Sequence, residues 1–142
     1  MRSVPRRKPN GTLPHREQLI CQHLCAVPLH ELFPQIERLR IELIFDDPNA
    51  RSPPPSAQLH TLYAAAPAFF RFACPCADCD GDFDLTEAVT TLITGAAGRK
   101  RSVSLGGDLA CRGVRFRDHA VHQAGCSMRL RFQLHSEPRV TA

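Results

Sequence analysis

Five of the seven cysteines in this chain follow a pattern that restricts its possible folds. Cys74, Cys76 and Cys79 lie within six residues of one another, and Cys111 and Cys126 follow far along the chain. A tight group of thiols followed by two distant thiols is how a small fold gathers four soft ligands around zinc. When four protein thiolates fill a tetrahedral site, the metal is structural, because no position remains for a substrate. The pattern therefore predicts a zinc site and identifies no reaction.

Spacing favours three of these five thiols as ligands and leaves the fourth open. Cys79 is followed two residues later by a glycine, where a metal-binding turn needs a residue that tolerates positive φ. Cys111 and Cys126 lie on either side of a predicted strand connection, which brings them together. Cys74 precedes proline, as at the start of a zinc knuckle, whereas Cys76 has the C-x-x-C separation from Cys79. The expected ligands are four of the five, with Cys74 or Cys76 as the fourth.

These motifs resemble the zinc ribbon, a small β-hairpin domain built from two cysteine-containing turns called knuckles. The resemblance covers residues 74–126 and rests on the Cys-Pro pair at 74–75 and on the Cys-x-Gly sequences at 79–81 and 111–113. The chain differs from an ordinary ribbon because fourteen residues separate Cys111 from Cys126. A predicted helix also lies between the two halves. The resemblance implies a small metal-binding domain and no named family of known function.

Other interpretations of the thiols and imidazoles stay open. Without metal, the cysteines would be small apolar core residues. A redox pair at residues 76 and 79 is disfavoured because the neighbouring aspartates raise, rather than lower, the pKa of a thiolate. His119 or His122 could replace one cysteine ligand. A second metal site could use residues of the N-terminal segment, and its candidates are Cys21, His23, Cys25 and His30.

Hydrophobic periodicity predicts an α+β fold. Apolar residues alternate with polar ones, the period of a half-buried strand, over residues 36–45, 68–74, 112–117 and 128–134, and the pattern allows a further short strand at 102–105. One apolar stripe indicates a helix and comprises Leu85, Ala88, Val89, Leu92 and Ile93. Asp84 can cap this helix and Gly95 can end it in a left-handed conformation. We expect a small antiparallel sheet of about four strands, covered by this one amphipathic helix and held by the zinc-ribbon-like site.

The folded domain is expected to span residues 36–136, with an extended Pro-rich connection at 46–58. Residues 1–35 are interpreted as a basic, Pro-rich and partly disordered appendage with a short helix over 15–27, and residues 137–142 as a tail. No run of 18 apolar residues exists, so no membrane partner is expected. An odd number of cysteines suits reduced thiols bound to metal better than disulfides, which favours a cytoplasmic location.

Charge is distributed unevenly along the chain. Residues 17–98 carry four basic and eleven acidic groups, whereas residues 99–142 carry nine basic and three acidic groups. If the strands at 112–117 and 128–134 pair, their arginines would line one face of the sheet and form a phosphate-binding surface. The candidate nucleic-acid-binding residues are Arg99, Lys100, Arg101, Arg115, Arg117, Arg129 and Arg131.

Two functions are consistent with these patterns. The first is a small non-enzymatic zinc-binding adaptor that binds nucleic acid or a nucleoprotein through the arginine-rich face. The alternative is a protein–protein interaction module with purely structural zinc, which docks through an exposed strand edge or the Asp-rich loop; a thiol-redox protein is less favoured. No nucleophile–base pair, phosphate-binding loop or open three-ligand zinc site is recognisable, so neither an enzyme nor a small-molecule substrate is expected.

Overall fold

The computed structural model describes residues 14–49, 55–76, 78–96, 101–116 and 123–139 of the 142. The helices are α1 (Pro14–Cys25), α2 (Leu29–Leu32) and α3 (Thr86–Gly95). The strands are β1 (Ile36–Asp46), β2 (Ser56–Tyr63), β3 (Arg71–Ala73), β4 (Asp82–Asp84), β5 (Val103–Ala110), β6 (Val114–Phe116), β7 (Gln123–Gly125) and β8 (Arg129–Pro138). They form a four-stranded antiparallel sheet in the order β2-β1-β8-β5 and two small hairpins, β3-β4 and β6-β7. The predicted α+β class with a four-stranded antiparallel sheet is confirmed.

The dry face of the sheet is built by the alternation of β1 and β8. Successive side chains of a strand point to opposite faces, so every second residue enters the core. Ile41 pairs with Leu134 and Leu43 with Phe132, and all four side chains are buried. Arg131, one position from Phe132, is exposed on the other face. The face of the sheet that carries Arg131 is therefore open, whereas the dry face is covered by the rest of the chain.

The expected pairing of the strands at 112–117 and 128–134 is wrong. β8 pairs with β1 on one side and with β5 on the other, whereas β6 pairs with β7 in a separate hairpin. The alternation identified the strands, but it carries no information about their partners. β5 extends well beyond the expected 102–105. Gly106 and Gly107 interrupt the alternation of apolar and polar residues in the sequence, but in the structure they fit beneath the side chains of β8.

β2 lies at residues where no strand was expected. Its residues are predominantly exposed, so no continuous apolar alternation marks it in the sequence. It pairs with β1 from Ser56 to Tyr63 and forms one edge of the sheet. The connection predicted at 46–58 therefore ends within this strand.

α3 and the β3-β4 hairpin cover the dry face. Val89 and Ile93 of α3 are buried, and the Phe83 ring lies 5.6 Å from the Phe45 ring of β1, measured between centroids. The Asp84 carboxylate accepts a hydrogen bond of 2.9 Å from the amide of Thr86, the first helical residue, but the expected N-cap is wrong: the N-cap is Leu85, and no side chain makes a cap hydrogen bond. The expected left-handed glycine is wrong: Gly95 is the last helical residue, and the helix continues smoothly into a C-cap with a φ of −88°.

The described part of the N-terminal segment packs onto the same core. Leu19 of α1 and Leu29 of α2 are buried, although both fall in the stretch interpreted as an appendage. The helix expected over 15–27 is present as α1, but Ile20 and Leu24, assigned with Leu19 to one apolar side, are exposed. None of the helices in the described residues is long and apolar enough to cross a membrane.

Replacing Gly107 with alanine is expected to destabilise the sheet. An added Cβ would lie 2.6 Å from Cζ of Phe132, so this buried ring would have to shift within the core. Overpacking of this kind costs about 1–3 kcal/mol of unfolding free energy, which urea denaturation measures. Gly106→Ala is the matched control, because its Cβ would meet only the end of the Gln133 side chain. Equal losses for the two variants would contradict this account.

Candidate metal centre

Four thiols from two hairpins converge at one point. Cys74 follows β3, Cys79 precedes β4, Cys111 precedes β6 and Cys126 follows β7. Their Sγ atoms all lie within 4.8 Å of one another. Cys74, Cys79 and Cys111 are buried and Cys126 is partly buried. Residues more than fifty positions apart in sequence thus form a compact group of soft ligands.

The distances within this group fit a tetrahedral metal ion. A metal–sulfur bond of about 2.3 Å places the sulfurs of a regular tetrahedron about 3.8 Å apart. The Sγ atoms of Cys79 and Cys111 are 3.6 Å apart, and those of Cys74 and Cys126 are 3.7 Å apart. A disulfide would need about 2.05 Å. The group could therefore hold a metal ion, with all four positions filled by protein.

Two Cys-x-Gly turns present half of the ligands. The amide of Gly81 donates to Sγ of Cys79 at 3.2 Å, and the amide of Gly113 donates to Sγ of Cys111 at 3.3 Å. Each hydrogen bond stabilises negative charge on its sulfur and fixes the direction of the side chain. The two turns are thus equivalent in sequence spacing and in geometry.

The remaining two ligands are attached to these turns in the same way. The amide of Cys74 donates to the carbonyl oxygen of Gly81, and the amide of Cys126 donates to that of Gly113, both at 3.0 Å. Each hairpin therefore supplies one Cys-x-Gly turn and one cysteine hydrogen-bonded to the glycine of that turn. The centre has two matching halves, although the order of these parts along the chain differs between them.

Glycine is required in both turns because the turns touch. A Cβ on Gly81 would lie 2.5 Å from Sγ of Cys111 and 2.9 Å from Cα of Gly113. A Cβ on Gly113 would lie 2.5 Å from Cα of Gly81 and 2.8 Å from Sγ of Cys79. The expected need for positive φ after Cys79 is wrong, since neither glycine is left-handed. The constraint is close approach of the two backbones.

The proximity of the thiols shifts their pKa values in opposite directions. Hydrogen bonding from Cys74 lowers the pKa of Cys79 to about 5, against the effect of burial and with help from the Gly81 amide. The same interaction raises the pKa of Cys74 far above its usual range. Burial, together with the charge on Cys79, raises the pKa of Cys111 to about 12. Cys74 and Cys111 therefore retain protons that a bound cation would displace.

Arg16 of α1 braces the loop that carries the first cysteines. Its Nη2 atom donates to the carbonyl oxygens of Cys74 at 2.7 Å and Cys79 at 3.4 Å, and also to that of Cys76. A guanidinium beside four thiolates also offsets part of their negative charge. Such outer contacts orient the ligands of a metal site. Nothing in the sequence pattern pointed to Arg16, which lies in the segment interpreted as an appendage.

Asp80 joins the two turns directly. Its carboxylate accepts a hydrogen bond of 2.8 Å from the amide of Val114, and its own amide donates to the carbonyl oxygen of Val114 at 3.3 Å. The residue between Cys79 and Gly81 therefore links the first turn to the start of β6. Nothing in the sequence pattern indicated this contact.

The structure separates the two candidates for the fourth ligand. Cys74 belongs to the group of four, whereas Cys76 does not. Sγ of Cys76 lies 4.0 Å from that of Cys126 and is partly buried, so it borders the group. The C-x-x-C spacing thus favoured a cysteine that borders the group, whereas the Cys-Pro sequence marked one that belongs to it.

The second metal site considered in the N-terminal segment does not form among the described residues. Cys21 and Cys25 are exposed on α1. The His23 ring stacks on Phe69 at 5.2 Å, and Nδ1 of His30 hydrogen-bonds to the carbonyl oxygen of Ala64. His119 and His122 lie outside the described residues.

The arginines proposed for nucleic acid do not form one positive face in the described part of the chain. Arg101, Arg129 and Arg131 are exposed, but Arg131 lies 4.0 Å from Asp108. On the same open face Arg129 is paired in register with Asp46, and Arg40 contacts Glu42 at 3.2 Å. The positions that lie outside the described residues, wholly or for their side chains, are Arg99, Lys100, Arg115 and Arg117.

Comparison with known proteins adds no assignment. The chain matches no protein-family model, no curated protein and no solved structure. Any function must therefore be argued from the site and the surfaces described above.

Serine substitutions are expected to identify the ligands. Cys74→Ser should reduce the metal content from about one ion per chain to a small fraction, because it removes one of the four converging sulfurs. Cys76→Ser should leave the metal content unchanged, and it is the matched control two residues away. Elemental analysis of the purified variants measures both. The opposite result would assign Cys76 as the ligand.

Metal affinity is expected to fall steeply as the pH is lowered. Because Cys74 and Cys111 have raised pKa values, both are protonated at neutral pH and must release protons to bind metal. Displacing the protons of Cys74 and Cys111 alone lowers the affinity by about a hundredfold for each unit that the pH falls. Below the Cys79 pKa of about 5, a third proton competes and the dependence becomes steeper. Chelator competition between pH 5 and 8 measures the slope, and a pH-independent affinity would contradict this assignment.

Proposed function

We propose that the protein is a non-enzymatic binding protein whose fold is held by a structural Zn²⁺ ion. The observation that carries the proposal is the set of four Sγ atoms within 4.8 Å, presented by two matching turns. Tetrahedral coordination by four thiolates is typical of zinc, and such a site offers no open position for water or substrate. The metal would thus act on stability and would take no part in a reaction.

Zinc would stabilise the two small hairpins, β3-β4 and β6-β7, whose strands form few hydrogen bonds. The strands β3, β4, β6 and β7 have three residues each. Two-stranded hairpins of this size are marginal in water. A structural zinc contributes about 10–16 kcal/mol of apparent binding free energy, which becomes folding free energy when the site forms only in the folded chain. Bound zinc would therefore join the β6-β7 hairpin to the β3-β4 hairpin and the sheet.

The binding surface of this protein is proposed to be the edge of the sheet formed by β2. β2 pairs only with β1 among the described residues, so its other side presents unpaired backbone groups. Natural edge strands are usually protected by lysine, proline or inward-pointing charge. Residues 56–63, SAQLHTLY, contain none of these, and Leu59 and Tyr63 are more than half exposed. β5 at the opposite edge contains Asp108 and two glycines. An unprotected apolar edge supports addition of an extended protein segment.

The alternative, nucleic-acid binding, has weaker support. Phosphate binding needs an uncompensated positive surface, whereas the described arginines of the open face alternate with carboxylates. The proposed partner is accordingly a polypeptide strand, with a second copy of this chain or an oligonucleotide as the competing outcomes of the test.

Peptides selected from a random library against the zinc-loaded protein are expected to protect the amides of residues 56–63 from hydrogen exchange. Leu59→Lys should weaken peptide binding by about tenfold or more, because a buried leucine contact is lost and a charge is placed on the edge. Leu24→Lys on α1, which replaces another exposed leucine, is the control and should leave binding unchanged.

Three results would overturn the proposal for β2. The first is protection confined to other residues. The second is concentration-dependent self-association that buries β2 without any peptide. The third is salt-sensitive binding of a mixed-sequence oligonucleotide that is tighter than binding of any selected peptide.

A further inference from the structure

A cavity of about 390 Å³ lies beneath β2, on the dry side of the sheet. Its walls come from α1, from β1 and β2, and from residues 69–73. This volume is within the range of about 300–1,000 Å³ that is common for small-molecule sites. Its apolar wall includes Leu19, Ile41, Leu62 and Phe72. The cavity is separate from the four-thiol group and from the outer edge of β2.

Four nitrogen-containing basic side chains line this apolar cavity, namely Arg16, His23, His60 and Arg71. No carboxylate lines it among the described residues. Arg71 already donates to Asp82 at 3.0 Å and to Gln22 at 2.8 Å. Arg71 is therefore already paired with a carboxylate, which leaves Arg16 and the two imidazoles as the basic groups available to a ligand.

Arg16 has a donor that the described residues leave unsatisfied. Its Nη2 atom is used by the cysteine loop, but its Nε–H is buried without an acceptor among the described residues. A buried donor without a partner is unfavourable, and donors of charged groups form the stronger hydrogen bonds. The side chain of Arg16, which forms part of the cavity wall, therefore retains hydrogen-bonding capacity.

The imidazoles are placed against aromatic rings at the same cavity. The His23 ring stacks on Phe69 at 5.2 Å with an interplanar angle of 14°, and the His60 ring lies 5.0 Å from that of Phe72. Burial, and secondly the neighbouring His23, lowers the pKa of His60. An anion beside His60 would counteract both effects, since it favours the charged form of that imidazole. Aromatic rings and imidazoles together suit a ligand with an apolar body and one acidic head.

We propose that this cavity binds a small monocarboxylate with an apolar body, either a short acyl chain or an aromatic ring. The carboxylate lies towards Arg16 and the imidazoles of His23 and His60, and the apolar body lies against Leu19, Leu62 and Phe72. The proposal is independent of the zinc assignment and of the β2 edge, because it rests only on this cavity and its lining.

The test uses the full metal-loaded chain and three probes: octanoate, naphthalene-2-carboxylate and 1-octanol. Saturable changes in the imidazole NMR signals of His23 and His60 are expected with a carboxylate, and the better of the two acids distinguishes an acyl from an aromatic ligand. Octanol should bind about tenfold more weakly than octanoate, because it cannot form the charge-assisted hydrogen bonds. Saturation by octanol at the same concentration would overturn the assignment to an anion.

Matched tryptophan variants locate the binding site. Ile20 and Leu24 are both exposed residues of α1, but only Ile20 lines the cavity. Ile20→Trp should fill the mouth of the cavity and abolish carboxylate binding, while Leu24→Trp should retain it. Metal content and unfolding free energy of both variants verify that they fold. Carboxylate binding that survives Ile20→Trp, or no saturable signal from either acid in the wild-type protein, would overturn the proposal.

Discussion

The contact between two glycine-containing turns is the constraint on which the structure most depends. Gly81 and Gly113 meet backbone to backbone, and an added Cβ on either would lie within 3 Å of the other turn. Only this approach allows the Sγ atoms of Cys79 and Cys111 to come within 3.6 Å. Each turn leads directly into one strand of a small hairpin whose strands have three residues each. The same contact therefore fixes the relative position of the two hairpins.

Such a group of thiols is electrostatically unfavourable without positive charge nearby. If all four sulfurs were thiolates, like charges would lie less than 5 Å apart in a largely buried site. The opposed pKa shifts of Cys79 and Cys74 express this conflict, because one sulfur becomes anionic while its neighbour retains a proton. A dication resolves the conflict by replacing the protons. Arg16 and the amides of the two glycines contribute further positive charge and dipoles around the same sulfurs.

The sequence predicted those strands and helices in which one face is buried, because burial of one face produces a periodic pattern of apolar residues. The alternation in β1 and β8 and the stripe in α3 predicted these elements, because burial of one face requires that period. It failed for β2, which is mostly exposed, and for β5, whose glycines fit under Phe132. The pairing of strands could not be predicted either, since the periodicity of one strand does not specify the strand with which it pairs. The cysteine spacing indicated a group of four ligands, but the choice of Cys74 over Cys76 depends on the fold of the loop between them.

The N-terminal helix α1 contacts both the cysteine loop and the cavity beneath β2. Arg16 donates to the cysteine loop through Nη2, while its side chain also lines the cavity beneath β2. Leu19, three residues later, is buried against the same region. Because a single side chain serves both places, undocking of α1 would open the cavity and at the same time remove the guanidinium from the loop of Cys74 and Cys79. A ligand in the proposed cavity would therefore be expected to stabilise the docked α1 and, through Arg16, the loop of Cys74 and Cys79.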